Sequence, residues 1–175
     1  MAAFAEAGWT VVGLDVSEEM VGRARSRGLE AIHGDAADLP FDDATFDAAV
    51  SVFTHTDVDD FRIVLQEIAR VLRPGGQVVY VGAHPCFVGP HSQCVEAEGV
   101  PILHPGYRRT GRYEEAPGIS PDGLRSRVGA SHLPLGSFVQ AFIAAGFVLE
   151  RFEEPGEREY PYVVALRGRT ARVRF

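Results

Sequence analysis

Short apolar runs rich in β-branched residues alternate along this chain with stretches whose apolar side chains recur at helical spacing. That alternation constrains the fold more than any other feature. The run at Thr10–Leu14 reads as a strand, as do Leu29–His33, Asp47–Phe53 and Gln77–Val81. Such continuous apolar runs suit strands buried on both faces of a parallel sheet. Between them, Ser17 is placed to cap a helix with Glu18 and Glu19 in its first turn, and Gly28 to close it. Val58, Phe61, Leu65, Ile68 and Leu72 share one helix face, so the spacing predicts a helix over Asp57–Leu72, halted by Pro74-Gly75-Gly76. Ala2–Gly8 reads as a helix end, and Ser137–Ala145 as a helix with a Phe138, Ala141, Phe142, Ala145 stripe. Strands at Phe147–Phe152 and Tyr162–Leu166 complete an α/β fold with a largely parallel sheet.

Residues 83–134 differ in kind. They hold 14 Gly or Pro residues and four of the six histidines, with no clear periodicity. So long a loop-rich stretch is usually functional, and it is expected to cover a substrate. Net charge is −7, which gives no electrostatic case for nucleic acid or an anionic membrane as partner. All 17 basic residues are arginine, so Schiff-base, P-loop and Ser-Lys chemistries are excluded. Residues 1–16 lack the features of a secretion signal, and no apolar run approaches the roughly 18 residues of a membrane span. A cytoplasmic protein is the expectation.

An acidic residue at the carboxyl end of an early parallel strand, as Asp15 is, can accept hydrogen bonds from ribose hydroxyls. It can equally cap the next helix. Downstream come Gly34-Asp35-Ala36-Ala37-Asp38-Leu39-Pro40-Phe41, then Phe46-Asp47-Ala48-Ala49-Val50-Ser51, then Ile68-Ala69-Arg70-Val71-Leu72-Arg73-Pro74-Gly75-Gly76. This succession resembles class I S-adenosylmethionine-dependent methyltransferases, in particular the methyltransferase type 11-like branch acting on small molecules. The resemblance covers residues 1–82 closely and 135–167 more loosely.

It implies a Rossmann-like fold, a mostly parallel sheet with helices on both faces, in a single domain over 1–175. It also implies that S-adenosylmethionine is the cofactor. Asp15 would hold its ribose, Val16 would lie on the adenine, and Asp35 and Ala36 would read the adenine edge. Ser51 would sit where the backbone nears the methionine part. The family's first strand and G-x-G-x-G loop belong before the helix ending at Gly8, between the strands at 10–14 and 47–53. The chain is therefore expected to be N-terminally truncated, whether through a late gene start or as a degenerate relative. A sheet with such a gap makes a homodimer plausible.

The implied reaction is methyl transfer to oxygen, nitrogen or carbon of a small metabolite. One alternative is a non-catalytic, methyltransferase-like module acting through oligomer contacts. Another is a nicotinamide-dependent oxidoreductase, which the Asp35–Phe41 run and the Arg73–Gly76 stop oppose. His55 and His84, just beyond strand ends, are the candidates for taking a proton from the acceptor, with His132 in a lesser place. His84, Cys86, His91 and Cys94 have zinc-ligand chemistry but an unusual spacing, and no metal is expected. Tyr107, Arg108, Arg109, Arg112 and Tyr113 form a basic-aromatic patch that a carboxylate could use, or that merely neutralises Glu114 and Glu115.

Overall fold

The computed structural model describes residues 1–95, 100–120 and 123–171, with backbone alone at 94, 95 and 124. The chain packs as two units, Met1–Asp42 and Asp43–Phe175.

In the first unit a short helix α1 (Ala2–Glu6) ends ahead of Gly8, whose φ of +88° only glycine adopts readily. Strand β1 (Val12–Asp15) pairs in parallel with β2 (Glu30–His33), with Asp15 opposite His33. Helix α2 (Glu18–Arg25) joins them. Its capping is as the sequence predicts: Ser17 Oγ accepts the Met20 N–H at 3.4 Å, acids open the helix and Arg23 and Arg25 close it.

The second unit is built on a four-stranded sheet of order β3-β4-β10-β9. Strands β3 (Phe46–Val52) and β4 (Leu72–Ala83) are parallel, whereas β10 (Val163–Thr170) runs antiparallel to both β4 and β9 (Phe147–Glu153). The parallel pairing read from the sequence thus holds for β1–β2 and β3–β4. Helix α3 (Phe61–Val71) starts four residues later than the spacing predicts. Thr54–Thr56 form a separate 3₁₀ turn, and Asp60 caps α3 by accepting the Arg62 N–H at 2.9 Å. After α3 the chain enters β4 directly, and Arg73-Pro74-Gly75-Gly76 bulge out of the ladder: Phe46 faces Leu72, but Ala48 already faces Gln77. Gly75 has φ +82°, and a Cβ on Gly76 would lie 2.8 Å from the Arg73 carbonyl oxygen, so both glycines are needed there.

The stretch at 83–134 contains more regular structure than its composition suggests. It forms two antiparallel pairs, β5 (Ser92–Val95) with β6 (Val100–Leu103) and β7 (Gly111–Tyr113) with β8 (Ala130–His132), plus the one-turn helix α4 (Leu124–Val128). Helix α5 (Leu135–Ala144) follows. Two-residue alternation along β4 buries Val78, Tyr80 and Gly82 on one face, and α3 and α5 bring Phe61, Phe138 and Phe142 against Tyr80. Phe61 and Phe138 stack with centroids 5.8 Å apart and planes 2° from parallel, while the other contacts are edge-on. Among the described residues no helix is long and apolar enough to cross a membrane.

Phe138 is fully buried in this cluster, whereas Ile143 on the same helix is half exposed. Phe138→Ala is expected to cost about 3–5 kcal/mol in urea denaturation, and Ile143→Ala to stay within about 0.5 kcal/mol of the parent.

Candidate functional site

Parallel pairing of β1 and β2 carries Asp15-Val16 and Asp35-Ala36 to the same edge of the first unit. The Gly34 N–H donates to the Asp15 carbonyl at 3.1 Å and ties the two strand ends together. Each carboxylate has one oxygen committed to its own turn. Asp15 Oδ1 accepts the Ser17 N–H, and Asp35 Oδ1 accepts the Ala37 N–H, both at 2.8 Å. Asp15 therefore caps the following turn, the plainer of its two sequence readings, and still keeps Oδ2 for a hydroxyl. Val16 lies 74 % exposed beside it. His33 Nε2 lies 2.9 Å from the Val16 carbonyl oxygen, which accepts from it and fixes the backbone there. A carboxylate next to an exposed apolar side chain can hold a diol under a flat apolar ring.

In the second unit Ser51 is buried near the end of β3, its Oγ 2.7 Å from Thr54 Oγ1. Phe53 then adopts a left-handed conformation (φ +56°), and its N–H donates to the Val81 carbonyl. That reversal turns His55 inward, where it is 2 % exposed and packs edge-on against Phe61, Tyr80 and Phe138. His55 Nδ1 meets Tyr80 Oη in a short hydrogen bond. Burial raises the Tyr80 pKa well above the usual phenol range, so the hydroxyl stays protonated and donates. Burial, above all, lowers the His55 pKa to about 4. The neighbouring His132 imidazole and the Arg125 guanidinium act the same way, against the Asp57 carboxylate. His55 is thus a neutral ring at physiological pH.

His84, fully buried, has both ring nitrogens engaged. Nδ1 accepts the Cys86 N–H at 3.1 Å, which leaves Nε2–H to donate to Glu154 Oε1 at 2.7 Å. As placed, it has no free nitrogen for an incoming proton. His132, in β8, gives its Nε2–H to the Tyr107 carbonyl at 2.9 Å, and burial lowers its pKa. His91 Nε2 donates to the Cys86 carbonyl at 2.9 Å. These imidazoles serve backbone and carboxylate partners. The Cys94 side chain lies outside the described residues. Among the described residues no group of three or more His, Cys, Asp or Glu is placed to hold a metal.

Among the described residues the basic-aromatic patch forms no ion pair with Glu114 or Glu115. Arg112 instead pairs with Asp59 at 3.3 Å and donates to the Val128 carbonyl, and Arg125 pairs with Asp57. Three partners escaped the sequence reading: Tyr80, Glu154 and Arg125. Tyr80 alone left a trace, since a tyrosine at a core position of a buried strand must find a hydroxyl partner. Glu154 and Arg125 lie 70 and 68 residues from the groups they meet and left none.

Residues 1–80 match the family described as "Methyltransferase domain". The fatty-acid O-methyltransferase of Mycolicibacterium smegmatis is 44% identical over 80 residues, 43% of this chain and 29% of that protein. The demethylmenaquinone methyltransferase of Clavibacter sepedonicus is 48% identical over 83 residues, 45% of this chain and 34% of that protein. The matched region thus spans about a third of the length of these relatives. Among solved structures, an S-adenosylmethionine-dependent methyltransferase from Mesorhizobium loti superposes with a TM-score of 0.75. It covers 91% of this chain and 79% of that one at 24% identity. The 1,6-didemethyltoxoflavin-N1-methyltransferase of Burkholderia thailandensis, solved with S-adenosylhomocysteine, gives a TM-score of 0.60 at 16% identity, covering 97% of this chain and 65% of that one.

The unfolded chain protonates His55 near pH 6.5, but the folded chain only near 4. Between those values the unfolded state binds more protons, so stability falls as pH drops from about 6.5 and levels off below about 4. His55 accounts for about 3 kcal/mol of that loss. Urea denaturation at pH 7 and pH 4 is expected to show it, with a smaller loss in His55→Asn. Tyr80→Phe strands the His55 acceptor and is expected to cost about 1–3 kcal/mol at pH 7.

Proposed function

From a chain whose residues 1–80 carry a methyltransferase-domain sequence, and whose fold is that of class I S-adenosylmethionine-dependent methyltransferases, we propose that it binds S-adenosylmethionine. It transfers the methyl group to oxygen, nitrogen or carbon of a small metabolite in the cytoplasm, with residues 1–175 working as one catalytic domain. The observation that carries this reading is the shared edge of β1 and β2. There Asp15 keeps one carboxylate oxygen without a partner among the described residues, beside the exposed Val16, and Asp35-Ala36 follow the neighbouring strand.

The cofactor supplies an activated methyl group on a sulfonium, so the protein's task is mainly alignment. Asp15 Oδ2 accepts from the ribose hydroxyls, Val16 packs on the adenine, and the Asp35 carboxylate with the Ala36 amide reads the adenine edge. Ser51 belongs with the methionine portion. His55 is neutral, with Nδ1 taken by the Tyr80 hydroxyl, so its Nε2–H donates to a lone pair of the acceptor's oxygen or nitrogen and orients it; its low pKa makes it a weak proton store. His84 holds the turn after β4 through Glu154 and acts as a positioning residue. Val50 and Val52 on the outer strand β3 are about half exposed, a surface consistent with self-association.

Titration calorimetry with S-adenosylhomocysteine tests the reading. A saturable heat is expected, together with at least about tenfold weaker binding in Asp15→Ala, the loss of a charged hydrogen bond. Absence of heat at millimolar ligand, or an unchanged affinity in Asp15→Ala, would overturn it. His55→Asn is expected to leave that affinity intact and to lower turnover.

A further inference from the structure

The loop that follows β6 lines an open depression of about 500 Å³, walled by His104, Pro105, Gly106, Tyr107, Arg108 and Arg109. Two guanidinium groups border it, and among the described residues no carboxylate does. Elsewhere in residues 83–134 Arg112 pairs with Asp59 and Arg125 with Asp57, while Arg127 is exposed. Arg108 and Arg109 are exposed and form no ion pair among the described residues. His104 adds a buried Nε2 that has no hydrogen-bond partner among the described residues, a condition that native structures rarely leave uncompensated.

The wall is held from behind. The Tyr107 carbonyl accepts from His132 Nε2 and the Tyr107 hydroxyl accepts the Leu135 N–H, each at 2.9 Å, while His91 packs edge-on against the Tyr107 ring. Gly106 makes the bend at φ +128°. The positive groups thus stand on a preorganised scaffold, which lowers the entropy lost on binding. The strand leading into the depression carries a different chemistry. On β6, Val100 and Ile102 share one face and are 39% and 47% exposed, and Leu103, next to the loop, is 59% exposed on the other.

We infer that this loop is a binding site for an amphiphilic oxyanion, with a carboxylate or phosphate head on Arg108, Arg109 and His104 and an apolar chain along β6. Planar guanidinium groups match both head groups, and the exposed strip accounts for a tail where a purely polar anion would leave it bare. As an anchor for the methyl acceptor, the site rests on the reading above, and there the head is the held end, not the methylated atom. As a binding site it needs no cofactor.

Calorimetry of the full chain with decanoate at low salt, without cofactor, tests it. Saturable binding is expected, with decanol and acetate each at least about tenfold weaker. The double variant Arg108→Ser/Arg109→Ser should lose about tenfold or more, the loss of charged hydrogen bonds, with an unchanged melting temperature. Added salt should weaken binding. Decyl phosphate in place of decanoate tells which head group is preferred, and tighter binding of either supports the site. Decanol binding as tightly as both anions, or a double variant that binds like the parent, would sink it. S-adenosylhomocysteine has no part in the measurement, so a failure here and a failure of the methyl-transfer reading are separate results.

Discussion

A phenol hydroxyl sealed among aromatic rings must find an acceptor, and the Tyr80–His55 hydrogen bond is the constraint on which the larger unit depends. It asks for a residue with almost no volume beyond Tyr80, since a Cβ on Gly82 would lie 2.0 Å from the phenol oxygen. It also asks for a chain reversal tight enough to bring an imidazole back over β4, which the left-handed Phe53 provides. The surrounding rings of Phe61, Phe138 and Phe142 exclude water and so strengthen the bond they enclose. Burial that keeps the phenol protonated keeps the imidazole neutral, and the pair stays a hydrogen bond without becoming an ion pair.

Where local chemistry decides, the sequence was readable. Ser17 with Glu18, Glu19 and the closing arginines marked α2, and the continuous apolar run through Gln77–Val81 marked β4, because caps and short apolar runs act over a few residues. The start of α3 was misread for the same reason. Asp57, Asp59 and Asp60 all look like helix-opening acids, and only the distant Arg125 and Arg112 draw Asp57 and Asp59 away from that role. The hairpins of residues 83–134 were illegible because glycine and proline dilute their alternation. Positions of Asp15, Val16, Asp35 and Ala36 at one edge followed from strand order alone. The environments of His55 and His84 did not, since Tyr80 and Glu154 reach them across 25 and 70 residues.

A chain without lysine builds every cationic contact from a planar, multiply donating group. The contacts show it. Arg70 bridges Glu67 and Asp43, Arg62 grips both oxygens of Asp60, and Arg112 shares itself between a carboxylate and a backbone carbonyl. These pairs are mostly exposed and add little stability singly. Their effect is geometric: they tie β7 and α4 to the 57–60 segment, and that segment borders the buried imidazole.

The bulge at Arg73–Gly76 has a consequence for how such a chain can change over time. One residue of β3, Asp47, lies opposite four of β4 there, and beyond it the ladder is regular from Ala48–Gln77 to Val52–Val81. Slack in the bulge can absorb an inserted or deleted residue at the end of α3 without moving Tyr80 off its partner Ser51. Helix length is thereby uncoupled from strand register, and the outer surface can drift while the alignment that faces the buried imidazole is inherited intact.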